Sequence, residues 1–263
     1  MSFFGKWRYA QASVIGLAHL SQKTECQDRL ACCTIESDSD GEILIAAVAD
    51  GAGSTTDGQM GAEIACEFFV NQASDFLHSG NASVRSLNEE FGRCWIEFFQ
   101  ARIAGLAGEE KKEMRDYAST FIGAIVGDGG AAFYQVGDGG AVFSINGKNE
   151  SYRFAIEPTD SEYVNMTEFL TDEAAANSLR FRFVEEAVED LILFSDGIFA
   201  VAVNYQTNQP HEPFLMPMIA PLRNGTAAEG LNEKLEKFLA SPKLNEKTDD
   251  DKTIILASRY KTI

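Results

Sequence analysis

The spacing of apolar residues changes partway along the chain, and it predicts strands and helices in a definite order. The stretch Leu30 to Ile35 and the run ILIAAVA, Ile43 to Ala49, indicate strands separated by the polar turn ESDSDGE, the second strand being buried. Apolar residues then recur at helical spacing and predict two long helices. The first stripe is Met60, Ile64, Phe68, Phe69, Phe76 and Leu77, and the second is Val84, Leu87, Phe91, Trp95, Phe98 and Phe99. Ser83 is the expected N-cap of the second helix.

After the polar connector GLAGEEKKEM the apolar runs become short, and Gly, Asp and Asn separate them. The runs TFIGAIV, AAFYQV, AVFSIN and YRFAI have the pattern of an antiparallel meander. RFRFVEE predicts a half-buried strand, LILFSDG a fully apolar strand, and KTIILASRY a closing strand. NYQTNQPHEP is expected to be a loop, and TAAEGLNEKLEKFLA a helix with a Thr226/Glu229 capping box. No linker divides the sequence, so we expect one domain, 1–263, of packed antiparallel sheets covered by long helices.

The charge of the chain is strongly acidic, with 40 acidic side chains against 22 basic ones and a formal net charge of −18. Duplex DNA and anionic membranes both favour a basic face, so we expect neither as a partner. The longest apolar run, ILIAAVA, is too short to cross a bilayer, and the N-terminal residues lack a signal-peptide pattern. The five cysteines show no CxxC spacing and the three histidines are scattered, which argues against a thiolate zinc site or a histidine-dependent triad. We therefore expect a reduced, cytoplasmic protein.

Aspartates recur where the predicted strands begin or end. Asp50, Asp138 and Asp196 each follow a strand beside a glycine, whereas Asp28 and the run Asp249–Asp251 each precede one. Because the end of one antiparallel strand lies beside the start of its neighbour, these residues are expected to meet along one sheet edge. Mg²⁺ and Mn²⁺ prefer oxygen ligands, and two such ions can activate a water and clamp a phosphoryl group. Each Asp-Gly pair alone is better explained by an ordinary turn, but the ordered set predicts a metal centre.

One hexapeptide, VGDGGA, occurs twice, at Val126–Ala131 and at Val136–Ala141. The strand AAFYQV between the two aspartates spans about 20 Å. In a meander, successive turns lie at opposite ends of the sheet, so Asp128 and Asp138 cannot both reach one metal cluster. The pattern alone leaves open which of them does.

The order of these motifs resembles that of the metal-dependent type 2C protein phosphatases, especially a bacterial branch with DGAGS followed by GA, here Asp50–Ser54 and Gly61-Ala62. The motifs are, in chain order, Gln27-Asp28, Asp50-Gly51, Ser119-Thr120, Gly137-Asp138-Gly139, Ser195-Asp196-Gly197 and Asp250-Asp251-Lys252-Thr253. No single motif is specific, but the ordered set is, and it extends from about Gly16 to about Ser258. The resemblance implies an α+β fold, a four-layer α-β-β-α sandwich of two packed antiparallel β-sheets flanked by long helices, with a two-metal centre at one end.

The resemblance also implies catalytic roles. Asp50 would bridge two Mn²⁺ or Mg²⁺ ions, the Gly51 carbonyl would ligate one of them, and Asp196 and Asp250 would ligate the other. A metal-bridging hydroxide would then attack phosphorus in a phosphoserine or phosphothreonine of a protein substrate. Asp50, Asp196 and Asp250 are thus the expected catalytic residues.

Two further acidic positions follow from the resemblance. Asp28 would act near the ions, with water between, and Asp138 would help Asp196 to hold a weaker third ion. The Ser119-Thr120 pair opens the strand before the first VGDGGA copy and lies at the active edge in the family, so the second copy returns to that edge. Asp138 is therefore the expected ligand and Asp128 a turn residue.

Three positions depart from the family pattern. Gln27 stands where many members have an acidic residue, and Ala52 stands where animal enzymes carry a histidine that is a candidate general acid. Lys23 occupies the place of a phosphate-binding arginine, and it would neutralise the substrate phosphate without a bidentate fork. His19 is expected to be structural, and Cys26 an inert small hydrophobe.

These departures keep other hypotheses open beside a serine/threonine phosphatase. One is a non-catalytic module that binds or senses partners on the same fold. Another is a metal-dependent hydrolase of a small phosphate ester. The sequence does not fix the oligomeric state, for which a monomer is favoured.

Overall fold

Two five-stranded antiparallel sheets form the middle of the molecule, in a computed structural model that describes residues 5–80, 82–145, 151–158, 167–224 and 230–260. Sheet 1 contains, in spatial order, β2 (Arg29–Ser37), β3 (Gly41–Ala49), β4 (Phe121–Gly127), β5 (Gly130–Val136) and β8 (Arg180–Val184). Sheet 2 contains β1 (Lys6–Val14), β12 (Lys252–Tyr260), β9 (Val188–Phe194), β6 (Gly140–Ile145) and β7 (Arg153–Phe154). A small ribbon pairs β10 (Val203–Asn204) with β11 (Gln209–Pro210).

The helices of the described chain are α1 (Leu17–Gln22), α2 (Gly58–His78), α3 (Glu89–Glu110), α4 (Ala175–Ser178), α5 (Phe199–Ala202), α6 (Glu212–Arg223), α7 (Leu231–Leu239) and α8 (Pro242–Asn245). Short 3₁₀ segments occupy Val84–Ser86, Met114–Tyr117 and Asp196–Ile198. Within the described residues, no helix has both the length and the apolar character that a bilayer span requires.

Strand β3 shows why both faces of sheet 1 are apolar. Ile43, Ile45 and Ala47 pack with the residues of α2 and α3, whereas the alternate residues Leu44, Ala46 and Val48 pack toward sheet 2. Successive side chains of a strand point to opposite faces, so a strand covered on both sides is apolar throughout. This explains the unbroken run ILIAAVA.

A third apolar layer lies on the outer face of sheet 2. Ile192 of β9 packs there with Leu215 and Ile219 of α6 and with Leu235 of α7. Helices therefore cover both outer faces of the paired sheets. The predicted α-β-β-α sandwich is confirmed.

The predicted four-strand meander is wrong. Strands β4 and β5 form a hairpin in sheet 1, but β6 pairs with β9 and β7 in sheet 2. Gly137 and Gly139 have φ angles of +81° and +93°, and the chain turns there from one sheet into the other. Both faces of these strands are apolar. Their sequences therefore show no alternation of polar and apolar residues that would indicate which sheet each strand joins.

The start of α3 also differs from the prediction. The N-cap is Asn88, whose side-chain oxygen accepts the Phe91 N–H at 3.0 Å. Ser83 caps the short 3₁₀ segment Val84–Ser86 instead. Val84 and Leu87 fit the helical stripe because they are buried, although they precede the helix.

Sequence reasoning missed the β10–β11 ribbon, helix α6 and strand β1. The expected loop NYQTNQPHEP holds the β10–β11 ribbon and the start of α6. Helix α6 contains Pro217 and Pro221, which hide a helical pattern. Strand β1 was missed as well, and it pairs antiparallel with β12 from Lys6 opposite Tyr260 to Val14 opposite Lys252. The predicted capping box of α7, Thr226/Glu229, lies outside the described residues.

Candidate metal centre

The carboxylates of Asp50, Asp138 and Asp196 meet at one end of the sandwich, where one oxygen from each lies within 4.8 Å of the others. Asp50 follows β3 of sheet 1, and Asp196 follows β9 of sheet 2. Asp138 lies on the turn that passes from β5 to β6 between the sheets. The expectation of a single sheet edge is therefore corrected, because the residues meet where the ends of two sheets face each other.

Asp28 and Asp250 lie close to these three carboxylates. The pKa of Asp50 is raised well above its ordinary value by burial and then by the negative charges of Asp28, Asp196 and Asp250. Asp250 also repels Asp138. We call Asp28, Asp50, Asp138, Asp196 and Asp250 the acidic cluster.

Asp28 is the most deeply buried member, at 1% exposure. Its Oδ2 accepts a hydrogen bond of 2.6 Å from the Ser195 hydroxyl, and among the described residues its Oδ1 has no hydrogen-bond partner. A buried carboxylate oxygen without a partner is costly to fold. A cation, directly or through its water, would satisfy it.

Burial and mutual repulsion raise the pKa values in this cluster. Burial raises the pKa of Asp28 to about 6, and burial with the charges of Asp138, Asp250 and Asp28 raises the pKa of Asp196 to about 8. Asp138 is the most exposed of the three carboxylates that meet, yet desolvation raises its pKa too. Divalent cations reverse such shifts, because they favour the charged carboxylates.

Backbone contacts fix the end of β3. The Asp50 N–H donates to Thr120 Oγ1 at 3.2 Å, and the Thr120 N–H donates to the Asp50 carbonyl at 2.8 Å. At Gly51 an added Cβ would lie 2.3 Å from the Gly58 carbonyl carbon, so the backbone packs directly on the start of α2. The side-chain oxygen of Gln27 accepts the Gln59 N–H at 3.0 Å in the first turn of that helix. The Gln27 side chain therefore helps to hold the start of helix α2.

Hydrogen bonds from neighbouring side chains hold the turn that carries Asp138. Gln135 Nε2 donates to the carbonyls of Gly137 and Gly139 at 3.2 and 3.1 Å, and Arg180 donates to the Gly137 carbonyl. The Thr167 hydroxyl donates to Asp138 at 3.3 Å. These contacts fix the backbone and leave the carboxylate facing the cluster.

Asp128 of the first VGDGGA copy has a different environment. Its N–H donates to the Asp40 carbonyl at 2.8 Å, and its carboxylate accepts a 2.7 Å hydrogen bond from Arg259. It closes the β4–β5 hairpin, at the opposite end of these strands from Asp138. The structure therefore brings only the second copy to the acidic cluster.

The chain around Asp250 is clamped between two glycines. A Cβ on Gly197 would lie 1.9 Å from the Asp251 carbonyl oxygen, and one on Gly16 would lie 2.3 Å from the Asp250 carbonyl carbon. Asp251 itself is buried and accepts hydrogen bonds from the N–H groups of Gly16 and Gln27, both at 2.6 Å. Burial alone would raise its pKa, but these bonds and the neighbouring His19 imidazole hold the pKa below its ordinary value.

Three other predicted positions lie near α1. Lys23 is exposed and ends α1 with a left-handed backbone, φ 60°. His19 Nδ1 lies 2.9 Å from Asp251 Oδ2, as expected for a structural histidine. Burial raises the pKa of Cys26 to about 12, so its thiol stays protonated and unreactive at neutral pH. Binding of phosphate by Lys23 stays a prediction.

The donor set fits a hard divalent cation. All members of the acidic cluster offer carboxylate oxygens, and no His or Cys is among them. Mg²⁺ and Mn²⁺ select oxygen ligands, whereas softer metals favour imidazole or thiolate. The unsatisfied oxygen of Asp28 and the raised pKa values support the same conclusion.

Comparisons with known proteins cover nearly the whole chain. The family model of protein phosphatase 2C matches residues 15–240. Over 253 residues the chain is 34% identical to serine/threonine-protein phosphatase 3 of Escherichia coli. The match covers 95% of this chain and 98% of that protein.

Solved structures show the same fold. The serine/threonine phosphatase Stp1 from Staphylococcus aureus has a TM-score of 0.61 at 16% identity, covering 98% of this chain and 97% of its own. A serine-threonine phosphatase 2C from Toxoplasma gondii has a TM-score of 0.66 at 12% identity, covering 98% of each chain. The likeness includes both sheets and the helices outside them.

Proposed function

The chain belongs to the protein phosphatase 2C family and is a metal-dependent serine/threonine-protein phosphatase, and we propose that the acidic cluster is its catalytic metal centre. The observation that carries this proposal is the meeting of Asp50, Asp138 and Asp196 from separate parts of both sheets. Ionised carboxylates this close repel one another, and a divalent cation between them relieves that repulsion while they stay charged. The partly unsatisfied Asp28 supports the same proposal.

Two Mn²⁺ or Mg²⁺ ions, with a weaker third, are the proposed cofactors. Asp50 would contribute to holding both ions, as the family resemblance implies, and the charges of Asp28, Asp196 and Asp250 reach its carboxylate. The Gly51 carbonyl would complete one site, and Asp196 with Asp250 the other.

The remaining carboxylates have separate proposed roles. Asp28 would lie near the ions with water between, anchored by the Ser195 hydroxyl. Asp138, the exposed member, would help Asp196 to hold the third ion. Its exposure fits a weaker site, because an exposed carboxylate gains less from a cation than a buried one.

The proposed substrate is a protein that carries phosphoserine or phosphothreonine. When bound, divalent ions lower the pKa of a coordinated water and neutralise the phosphoryl group. Backbone contacts at the end of β3 hold the Asp50 carboxylate in place. Lys23, exposed at the end of α1, would pair with the substrate phosphate as a point charge. No cysteine nucleophile is needed, and the pKa of Cys26 argues against one.

We also propose a cytoplasmic location and a monomeric state. All five cysteines of the chain are free thiols, which fits a reducing compartment. A phosphatase of this bacterial type would encounter its phosphoprotein substrates in the cytoplasm. Size-exclusion chromatography with light scattering would measure the oligomeric state.

Replacing Asp196 with Ala tests the proposed centre. Wild-type protein is expected to hydrolyse an aryl phosphate and a phosphopeptide with Mn²⁺ and to stop in excess chelator. Asp196→Ala should lower the rate by more than about 100-fold, because it removes a proposed ligand from the ions that stabilise the transition state. Asp75→Ala, an exposed position on α2, is the matched control and should keep full activity.

Different results would contradict different parts of the proposal. Full activity in excess chelator would exclude metal-dependent catalysis. Mn²⁺ binding without turnover would favour the non-catalytic module. Faster turnover of small metabolite phosphates than of phosphopeptides would favour the small-ester hydrolase.

A further inference from the structure

Asp251 is next to Asp250 but takes no part in the acidic cluster. Its side chain is 1% exposed, and its Oδ1 accepts the Gly16 N–H at 2.6 Å. Its Oδ2 accepts the Gln27 N–H at 2.6 Å and lies 2.9 Å from His19 Nδ1. Both oxygens are therefore used by groups that come from two separate segments of the chain.

Three proposed ligands lie directly beside Asp251 and the backbone that it contacts. Gln27 directly precedes Asp28, and the Gln27 carbonyl accepts the Gly51 N–H, next to Asp50, at 3.3 Å. Asp251 directly follows Asp250. One carboxylate thus connects the backbones beside three members of the acidic cluster.

His19 extends this connection to the loop after Asp50. Its Nδ1 side faces Asp251, and its Nε2 lies 3.3 Å from the point that a Cβ on Gly53 would occupy. The imidazole, whose exposure is 12%, therefore packs between Asp251 and the loop at Gly53.

Helix α1 depends on this contact more than on apolar packing. It has no buried residue, and its Leu17 and Leu20 are 43% and 52% exposed. Most helices of proteins are held by burial of an apolar face, which α1 lacks. At the cluster end, α1 is attached by the Ala18 N–H bond to the Asp249 carbonyl, 2.9 Å, by the N–H bond of its N-cap Gly16 to Asp251, 2.6 Å, and by the His19–Asp251 contact.

We propose that Asp251 and His19 are positioning residues, which hold the backbones of Asp28, Asp50 and Asp250 in the arrangement that binds metal. They touch neither metal nor substrate in this role. The proposal rests on the proposed function of the acidic cluster, whose ligands they would orient. Residues of this kind behind metal ligands commonly change metal affinity by about 10- to 100-fold when removed.

The sign of the effect separates positioning from simple electrostatics. Removing a histidine that acted only through its charge would leave the affinity of a cation site unchanged or raise it, because a neutral or positive ring is lost. Removing a positioning histidine lowers the affinity. The two explanations therefore predict different directions for the same variant.

The experiment measures Mn²⁺ affinity by titration calorimetry on the metal-free full chain. His19→Ala should bind Mn²⁺ about 10-fold or more weakly than wild type, and its activity should return to within about threefold at saturating Mn²⁺. His19→Asn places an amide nitrogen near the position of Nδ1 and should recover most of the affinity. His78→Ala is the matched control, because His78 is exposed at the C-terminal end of α2, away from the cluster.

Thermal unfolding with and without Mn²⁺ separates positioning from a general loss of stability. A general loss lowers the unfolding temperature equally in chelator and in Mn²⁺, whereas loss of positioning shrinks the rise that Mn²⁺ produces. Equal lowering with an unchanged rise, or unchanged or tighter Mn²⁺ binding by His19→Ala, would overturn the proposal.

Gly53→Ala gives a second test if His19→Ala fails to fold. The new Cβ would lie 3.3 Å from His19 Nε2 and press on the ring, so Mn²⁺ affinity should fall. In a His19→Asn background the same substitution should cost less, because the ring is gone. An equal cost in both backgrounds would speak against the role of His19. Wild-type protein that does not bind Mn²⁺ would instead overturn the proposed function.

Discussion

Asp128 and Asp138 have the same neighbours in the sequence and different positions in the structure. In the first copy Gly130 has a φ of +136°, whereas in the second copy Gly137 and Gly139 have positive φ. The backbones differ because their surroundings differ, with Arg259 beside one copy and Gln135 beside the other. The same sequence thus closes a hairpin at Asp128 and provides a proposed metal ligand at Asp138.

Alanine at the two aspartates should therefore have opposite consequences. Asp138→Ala is expected to weaken metal-dependent hydrolysis and to leave the unfolding temperature in chelator unchanged or higher, since a repelling carboxylate is lost. Asp128→Ala should keep the activity per folded molecule, but it removes a partner of the buried Arg259, whose side chain is 2% exposed. We expect it to lower the free energy of unfolding by about 3 kcal/mol.

Rates at saturating Mn²⁺ and urea unfolding of both variants would measure these effects. Asp128→Asn, which can still accept a hydrogen bond from Arg259, is the control and should lose less stability. Equal loss of activity in Asp128→Ala and Asp138→Ala would contradict the separation of the two copies.

The metal-free protein should lose stability as the pH rises. The pKa values of Asp28 and Asp196 are raised to about 6 and about 8, so the folded protein keeps protons that the unfolded chain has already released. Their contribution to stability is present in full below about pH 4 and is lost as the pH rises through 6 and 8. Thermal unfolding in chelator should therefore shift to lower temperature between about pH 4 and 8.

Saturating Mg²⁺ should reduce this slope, because a cation favours the charged carboxylates. Asp196→Asn in chelator should flatten the part of the curve between about pH 6 and 8. A slope that neither Mg²⁺ nor Asp196→Asn changes would show that other groups cause it.

Sequence reasoning finds the members of the acidic cluster but not what holds them. Asp28, Asp50, Asp138, Asp196 and Asp250 were all predicted, because they flank strands in a recognisable order. The contacts of Thr120, Ser195 and Asp251 with them are visible only in three dimensions. The run of three aspartates at 249–251 offers no pattern that separates a ligand from a residue that orients its neighbours.

At the scale of elements, type was easier to predict than connection. The two long helices and most strands were predicted where apolar periodicity was strong. The transfer of the chain from sheet 1 to sheet 2 after β5 was not, because β5 and β6 are buried throughout and have no polar face. Which sheet a strand joins is decided by the turn before it and by its partners.

Helix boundaries show the same limit. Val84 is buried like a helical residue, yet α3 begins at Glu89 because the Asn88 side chain caps it. Prolines within α6 disguised a helix that is held by the burial of Leu215, Ile219 and Leu222 against sheet 2. In α6, packing overrode local propensity, whereas the start of α3 is set by its cap.

For the whole molecule, the two tryptophans lie in different layers. Trp7 packs between the two sheets, and Trp95 packs between sheet 1 and its helices. A single domain over 1–263 stays a prediction from the absence of a linker. The position of these two residues offers a direct way to test it.

We expect both layers to unfold together. In Trp7→Phe the fluorescence reports only on Trp95, and in Trp95→Phe only on Trp7. For each variant, the unfolding midpoint measured by tryptophan fluorescence is compared with the midpoint measured by circular dichroism. The two midpoints should coincide in both variants, as in a two-state transition. A layer that melts separately from the secondary structure would show two cooperative units.

The pairing of β1 with β12 determines how the molecule would respond to a pulling force. Lys6 lies opposite Tyr260 at one end of this strand pair, and Val14 lies opposite Lys252 at the other, next to Gly16 and Asp251. Pulling the two strands apart at Lys6 and Tyr260 would break the interstrand hydrogen bonds one after another rather than all at once. Separation of the strands would reach the acidic cluster last, so a bound cation would set the force needed for the final steps.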